Sequence, residues 1–156
     1  MIHVPGFRIT SFDQLEQIKA GCDSTIDNYA TTSVAASAIP GGAGAVADIP
    51  IMFKMFSALR SRYSLDNVNA ADIKVYVAQT SIVEGLATKV FECATIKGVE
   101  KFLSQFATKS LVKKIGGVVP IIGGVISGYT GYQITKIAGE TYSRDCYDLC
   151  REILNA

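Results

Sequence analysis

The sequence predicts an all-α fold, a single helical bundle of about five to seven helices over residues 11–156, after an extended lead-in at residues 1–10. Apolar residues recur at spacings of three and four along most of the chain, as they do on one face of an α-helix. Two corners rich in proline and glycine interrupt this pattern. No short strand-like stretch has a flanking partner with which to form a sheet. The bundle is therefore expected to be built around two helical hairpins with Pro/Gly corners.

The composition indicates an ordinary folded domain. A chain of 156 residues is expected to form one domain, and its 49% hydrophobic content argues against disorder. Fifteen cationic and fourteen anionic side chains give a net charge of +1. A nucleic-acid surface needs a clustered basic excess, so we expect no nucleic-acid partner.

The four cysteines are expected to be reduced, buried and cytosolic. No secretory signal is recognisable at residues 1–10, and the only histidine is His3. A zinc site needs about four ligands in a tetrahedral array, and the sequence offers no such set. We expect no metal and no cofactor. The cysteines are Cys22, Cys93, Cys146 and Cys150.

In the first half of the chain, Ser11 is predicted to cap a helix in a capping box with Gln14. Gly21 is predicted to break this helix, and a second one should run to about Ile39. The first predicted corner follows, and Pro50 should either kink or begin the next helix. This corner consists of Pro40, Gly41 and Gly42.

Beyond a polar stretch, Asn69 or Asp66 is predicted to cap a helix running from residue 70 to about 96. Gly98 should then punctuate the chain. The helix predicted over residues 99–114 is amphipathic and basic, which is typical of helices that contact anionic lipid or a partner. An ordinary surface helix with its Phe stripe in the core is the favoured interpretation of the two. The basic face carries Lys101, Lys109, Lys113 and Lys114.

The segment Ile115–Thr135 holds no charged residue and carries six glycines. Its length of about 20 residues is that of a membrane-spanning helix, which makes a small membrane-inserting, glycine-zipper protein the alternative prediction. Proline and paired glycines interrupt the segment, so a buried corner followed by a core helix is favoured. The corner consists of Pro120, Gly123 and Gly124, and an amphipathic helix is predicted over residues 136–154.

No catalytic constellation is recognisable. The glycine-rich loops lack the lysine and hydroxyl residues of a P-loop, so no nucleotide site is predicted. With one histidine in the chain, a Ser–His or Cys–His nucleophile is not indicated. The paired carboxylates stand beside basic residues at helical spacing, as on solvated helix faces. The sequence therefore predicts a protein that is not an enzyme.

Two segments resemble the C-terminal helical domain of the immunity-related, interferon-inducible GTPases, which are dynamin-like. The first is AIPGGAGAVADIPI at residues 38–51 with FKMFSALRSRYSLD at residues 53–66. The second begins as VKKIGGVVPIIGGVISG at residues 112–128 and continues to residue 154. The nucleotide-binding domain of that family has no counterpart in this chain.

The resemblance implies a G-domain-less relative or an excised domain. It implies oligomerisation and association with intracellular membranes, and a role in innate immunity or cell-death control. We therefore expect a non-catalytic, cytoplasmic interaction domain that self-associates or docks to protein or membrane. Its predicted docking surfaces are the lysine face of helix 99–114 and the exposed side of helix 136–154.

Overall fold

A computed structural model describes residues 3–37, 44–103, 105, 121–122, 125–126 and 131–156. These residues form six helices, which confirms the predicted all-α bundle. The helices are α1 (Phe12–Ser37), α2 (Gly44–Arg62), α3 (Ala70–Tyr76), α4 (Ser81–Glu92), α5 (residues 96–103) and α6 (Gly131–Asn155).

The two long helices α1 and α6 pack most extensively against each other, and α2 packs against both. Helix α4 lies against α6, and α3 against α4. The apolar faces of the helices pack together and form the core, because this burial removes them from water. The largest fully buried side chains include Leu15 on α1, Met55 and Phe56 on α2, and Tyr142 and Leu149 on α6.

The start of α1 follows the predicted cap. The Gln14 backbone N–H donates to the Ser11 hydroxyl at 3.2 Å. The Gln14 side-chain oxygen accepts from the Thr10 N–H at 2.9 Å, one residue before the Ser11 N–H of a capping box. The first of these bonds satisfies an N–H donor of the first helical turn, and the second ties the preceding residue Thr10 to that turn.

The predicted break at Gly21 is wrong, because α1 continues unbroken from Phe12 to Ser37. Leu15, Cys22 and Ile26 are all buried on one face of the continuous helix. The packing of this face outweighs the roughly 1 kcal/mol that an interior glycine costs relative to alanine. A Cβ at Gly21 would lie 3.2 Å from the Arg62 Nη1, at the end of a flexible side chain.

Pro50 lies inside α2, which begins at Gly44, so the option that Pro50 begins this helix is wrong. The prediction that Asn69 caps the next helix is confirmed. Its side chain accepts from the Ala71 N–H at 3.0 Å.

The single helix predicted over residues 70–96 is wrong, because the chain forms two helices there. Val77 is extended and ends α3, and Thr80 begins α4 by accepting from the Val83 N–H at 3.2 Å. Between the two helices, the Gln79 side-chain amide donates to the carbonyls of Ile73 and Val77 at 3.1 and 2.9 Å. No strand forms here, as predicted.

The predicted punctuation at Gly98 is also wrong, since residues 96–103 are helical. The turn lies earlier, at residues 93–95, and the Thr95 hydroxyl accepts from the Gly98 N–H at 3.0 Å. A Cβ at Gly98 would collide with the Glu92 carbonyl oxygen, so this tight passage from α4 to α5 requires glycine.

A core helix is predicted directly after the second corner, but residues 125–126 are extended and the described helix begins at Gly131. Strand β1 (Ile121–Ile122) pairs antiparallel with β2 (Val125–Ile126), with Ile121 opposite Ile126 and Ile122 opposite Val125. Val and Ile favour extended backbone because their branched Cβ restricts χ1 in a helix. The six corner residues lie outside the described residues; they are Pro40, Gly41, Gly42, Pro120, Gly123 and Gly124.

The amphipathic helix predicted over residues 136–154 is confirmed within α6. Its predicted inner positions Tyr142, Leu149 and Ile153 are buried, and Ile137 is half-buried. The prediction of free, buried thiols is also confirmed for all four cysteines.

Candidate interaction surfaces

The predicted basic face is described at Lys101 only. Lys101 is exposed, and its ammonium lies 2.9 Å from the carboxylate of Glu92 at the end of α4. Lys109, Lys113 and Lys114 lie outside the described residues. Val99, on the apolar side of the same helix, is buried.

The other side of α5 faces the core over the described residues. Phe102 is half-buried, and its ring lies edge-on to Phe56 and Tyr142, with centroids 5.1 and 6.1 Å away. Leu103 is half-buried beside it. This inward Phe agrees with the ordinary surface-helix alternative for the described part of the predicted helix.

A buried guanidinium joins three helices. Arg60 of α2 is 7% exposed, and its Nη1 donates to the Cys93 carbonyl and to the Tyr142 hydroxyl, each at 3.0 Å. The Tyr142 hydroxyl in turn donates to the Val90 carbonyl at 2.7 Å. The Tyr142 ring stacks on Phe56 at 4.2 Å between centroids.

The two carbonyls that this cluster engages belong to the C-terminal end of α4. The last carbonyls of a helix have no intrahelical donors and form the negative end of its dipole. A buried cation is costly unless it is hydrogen-bonded, and among the described residues no carboxylate pairs with Arg60. The end of α4 thus supplies the negative charge density that Arg60 faces.

A second buried cluster contains two hydroxyl groups, those of Tyr63 and Ser143. The hydroxyls of Tyr63 and Ser143 lie 2.8 Å apart, and the Cys150 thiol donates to the Tyr63 carbonyl at 3.4 Å. Burial raises the pKa of the Cys22 thiol, which also interacts with both hydroxyls. Burial raises the pKa of Cys93 to about 12 and raises the pKa of Cys146 and Cys150. Because the thiolate is the reactive form, burial and the raised pKa values both lower the reactivity of these thiols.

A groove of mixed charge runs between α1 and α6 above this cluster, with a volume of about 470 Å³. The Lys19 ammonium lies 4.5 Å from the centroid of the Tyr147 ring, and the Tyr147 hydroxyl donates to the Glu16 carboxylate. Further along the same pair of helices, Lys136 pairs with Asp27 at 3.4 Å. These pairings join α1 to α6 on the surface of the bundle.

A mainly apolar groove of about 380 Å³ lies between α3 and α4; we call it the α3–α4 groove. Its apolar lining comes from Ile73 on α3 and from Val83, Ala87 and Phe91 on α4. Ile73 and Val83 are buried, and Ala87 and Phe91 are half-buried, so the groove is open to solvent.

Charged side chains line the two sides of the α3–α4 groove. Lys74 stands on the α3 side, and Glu84 and Glu92 stand on the α4 side. Glu92 is paired with Lys101. Lys74 and Glu84 are exposed and have no ion-pair partner among the described residues.

Large apolar side chains are exposed elsewhere on α3 and α4. Val75 is 73% exposed, Ile82 is 65% exposed and Tyr76 is 38% exposed. Sequence reasoning assigned no docking role to this region because it treated residues 70–96 as one helix. The pattern Ser81-x-x-Glu84 was an available signal for a helix start near residue 81.

Two further observations bear on the predicted classes of function. Among the helices that the structure describes, none combines the length and apolar character needed to cross a membrane. Within the same residues, no three side chains of His, Cys, Asp or Glu are grouped so that they could hold a metal ion.

Comparison with known proteins returned no match: no family model, no curated protein and no solved structure matches the chain. The resemblance to the immunity-related GTPases, which rests on apolar corner phrases, stays a prediction.

Proposed function

We propose that the chain is a non-catalytic helical interaction domain that self-associates or docks to protein or membrane. The observation that carries this proposal is the apolar surface of α3 and α4. The open α3–α4 groove and the exposed side chains of Val75 and Ile82 occur on two short consecutive helices. Apolar surface rimmed by polar groups is typical of interaction sites, and charged side chains stand on both sides of this groove.

The basic face predicted for helix 99–114 is the second docking surface of the proposal. Lys101 supplies one exposed ammonium, which is paired with Glu92 at the end of α4. Lys109, Lys113 and Lys114 would extend it by three more charges along the sequence. Each lysine near an anionic bilayer adds about 1 kcal/mol of attraction at the surface. Peripheral contact with intracellular membranes from the cytoplasm would use this face.

The non-catalytic part of the proposal is supported by the state of the reactive groups. The four thiols are buried with raised pKa values, and Ser143 is hydrogen-bonded to Tyr63 in the core. The resemblance to the helical domain of the immunity-related GTPases extends the proposal to innate immunity or cell-death control. That extension is fold-level analogy and concerns the biological setting.

The proposal is tested by the mass of the purified chain and by its binding to vesicles. Analytical ultracentrifugation from micromolar to millimolar concentration should show reversible self-association, or sedimentation with vesicles should show binding that depends on anionic lipid and weakens with salt. Neutral phosphatidylcholine vesicles are the control. A chain that stays monomeric throughout, ignores anionic vesicles and captures no protein or peptide partner would refute the proposal.

A further inference from the structure

We propose that the α3–α4 groove binds a short amphipathic helix of a partner protein, with an acidic edge facing Lys74 and a basic edge facing Glu84. This inference rests on the proposed function and specifies the chemistry of the partner. Helix-in-groove recognition uses an apolar stripe at positions i, i+4 and i+7, flanked by polar edges that set the orientation.

The dimensions of the groove fit two turns of such a helix. Val83 and Phe91, which both line the α4 side, are eight residues apart in one helix. At a rise of about 1.5 Å per residue, they are separated by roughly 12 Å along the axis, slightly more than two turns. A volume of about 380 Å³ is small for a binding site and suits a few side chains entering from one side.

The charges on the two sides favour one class of occupant. Lys74 is a cation on the α3 side and Glu84 an anion on the α4 side, and neither forms an ion pair among the described residues. Glu92 contributes less because Lys101 already neutralises it. A helix with one acidic and one basic edge pairs with both sides at once. A helix with two edges of the same sign faces a like charge on one side.

A second copy of the chain is a poorer occupant over the described surface. The large exposed apolar residues there are Phe12, Val75, Tyr76, Ile82 and Ile96. They stand on four different helices, and where two share a helix they are adjacent in sequence. Over their described residues, none of these helices presents the i, i+4, i+7 stripe that would fill the groove, which favours a different protein as the partner.

The test uses the full chain and three designed helical peptides that share a leucine stripe at i, i+4 and i+7. One peptide carries lysines along one edge and glutamates along the other. The second carries lysines along both edges, and the third carries glutamates along both. Fluorescence anisotropy at low salt should show the mixed-edge peptide binding roughly five-fold more tightly than either other peptide, as expected for about 1 kcal/mol of exposed ion pairing.

Substitutions in the groove make the test specific. Ala87→Arg places a long charged side chain among the groove-lining residues and should weaken binding of the mixed-edge peptide more than ten-fold. Gly85→Arg is the matched control, because Gly85 is exposed on the same helix, a Cβ there would have no atom within 4 Å, and it does not line the groove. Glu84→Lys makes both sides basic and should transfer the preference to the peptide with glutamates on both edges. Glu84 is exposed, so this variant remains informative even if Ala87→Arg fails to fold.

Three results would overturn the inference. The first is equal binding of all three peptides to the native chain. The second is equal loss of binding in Ala87→Arg and Gly85→Arg. The third is a dimer that Ala87→Arg dissociates, which would assign the groove to a second copy. Self-association or vesicle binding that persists without peptide binding would sink this inference and leave the proposed function standing.

Discussion

Replacing Tyr142 with Phe should destabilise the fold by about 2–4 kcal/mol. The substitution keeps the ring that stacks on Phe56 and removes only the hydroxyl. That hydroxyl donates to the Val90 carbonyl at 2.7 Å and accepts from Arg60 Nη1 at 3.0 Å. A buried group that loses its partner costs about 1–3 kcal/mol, and a hydrogen bond to a charged group contributes about 1.5–3 kcal/mol.

The predicted loss lies in the lower half of the combined range, because Arg60 Nη1 still donates to the Cys93 carbonyl. Urea unfolding followed by circular dichroism measures the effect. With an m-value of roughly 2 kcal/mol per molar, the midpoint should fall by about 1–2 M and the slope should not change.

Tyr147→Phe is the control, since it removes a hydroxyl from the same helix. The Tyr147 hydroxyl donates to Glu16 at the exposed surface, and such substitutions change stability by about 0.5 kcal/mol or less. If the free energy of unfolding of Tyr142→Phe lies within about 0.5 kcal/mol of that of the native chain, the buried cluster does not hold the end of α4 in place. Equal losses in the two variants would lead to the same conclusion.

Two further predictions concern close packing and pH. Gly139→Ala should destabilise the bundle by about 1–3 kcal/mol, because its Cβ would lie 2.9 Å from both Ile26 and Met55. Gly85→Ala, whose Cβ would have no atom within 4 Å, should stabilise α4 by up to about 1 kcal/mol. The melting temperatures of the two variants should therefore shift in opposite directions. Stability should also fall as pH rises above about 9, because the buried thiols stay protonated in the folded chain while those of the unfolded chain ionise. Burial raises the pKa of Cys93 to about 12, so Cys93→Ala should lessen this decline by up to about 1.4 kcal/mol per pH unit, measured by urea unfolding at successive pH values.

The helix faces that were predictable from sequence are those fixed by local spacing. On α6, Tyr142, Leu149 and Ile153 recur at helical spacing, and all three are buried. The caps at Ser11 and Asn69 depend on hydrogen bonds within three residues, so their sequence signals sufficed. Local interactions of this kind are visible in the sequence because both partners lie in one short window.

The buried position of Arg60 could not be predicted in that way. Its acceptors at Cys93 and Tyr142 are 33 and 82 residues away in sequence. Helical spacing alone does not show whether Arg60 is buried, and a long cationic side chain is ordinarily exposed. Only the tertiary arrangement of α2, α4 and α6 supplies the carbonyl and hydroxyl that make its burial tolerable.

The groove was missed for a related reason. Residues 70–96 carry apolar residues at helical spacing, and this pattern does not reveal that the helix breaks at Val77. The break depends on the Gln79 side chain satisfying the carbonyls of Ile73 and Val77. Two short helices that pack against each other then form a groove that one continuous helix would not.

The two walls of the groove differ in how firmly they are held, and this difference has a measurable consequence. Helix α4 packs against α6, and its end is fixed by Arg60 and Tyr142. Helix α3 is seven residues long and packs mainly against α4. Isolated helices shorter than about 12 residues are marginal in water, so α3 depends on its few contacts. A helix bound in the groove adds contacts to α3, and the mixed-edge peptide should therefore slow amide hydrogen exchange in α3 more than in α4. Equal protection of both helices would contradict the view that α4 is the fixed wall and α3 the adjustable one.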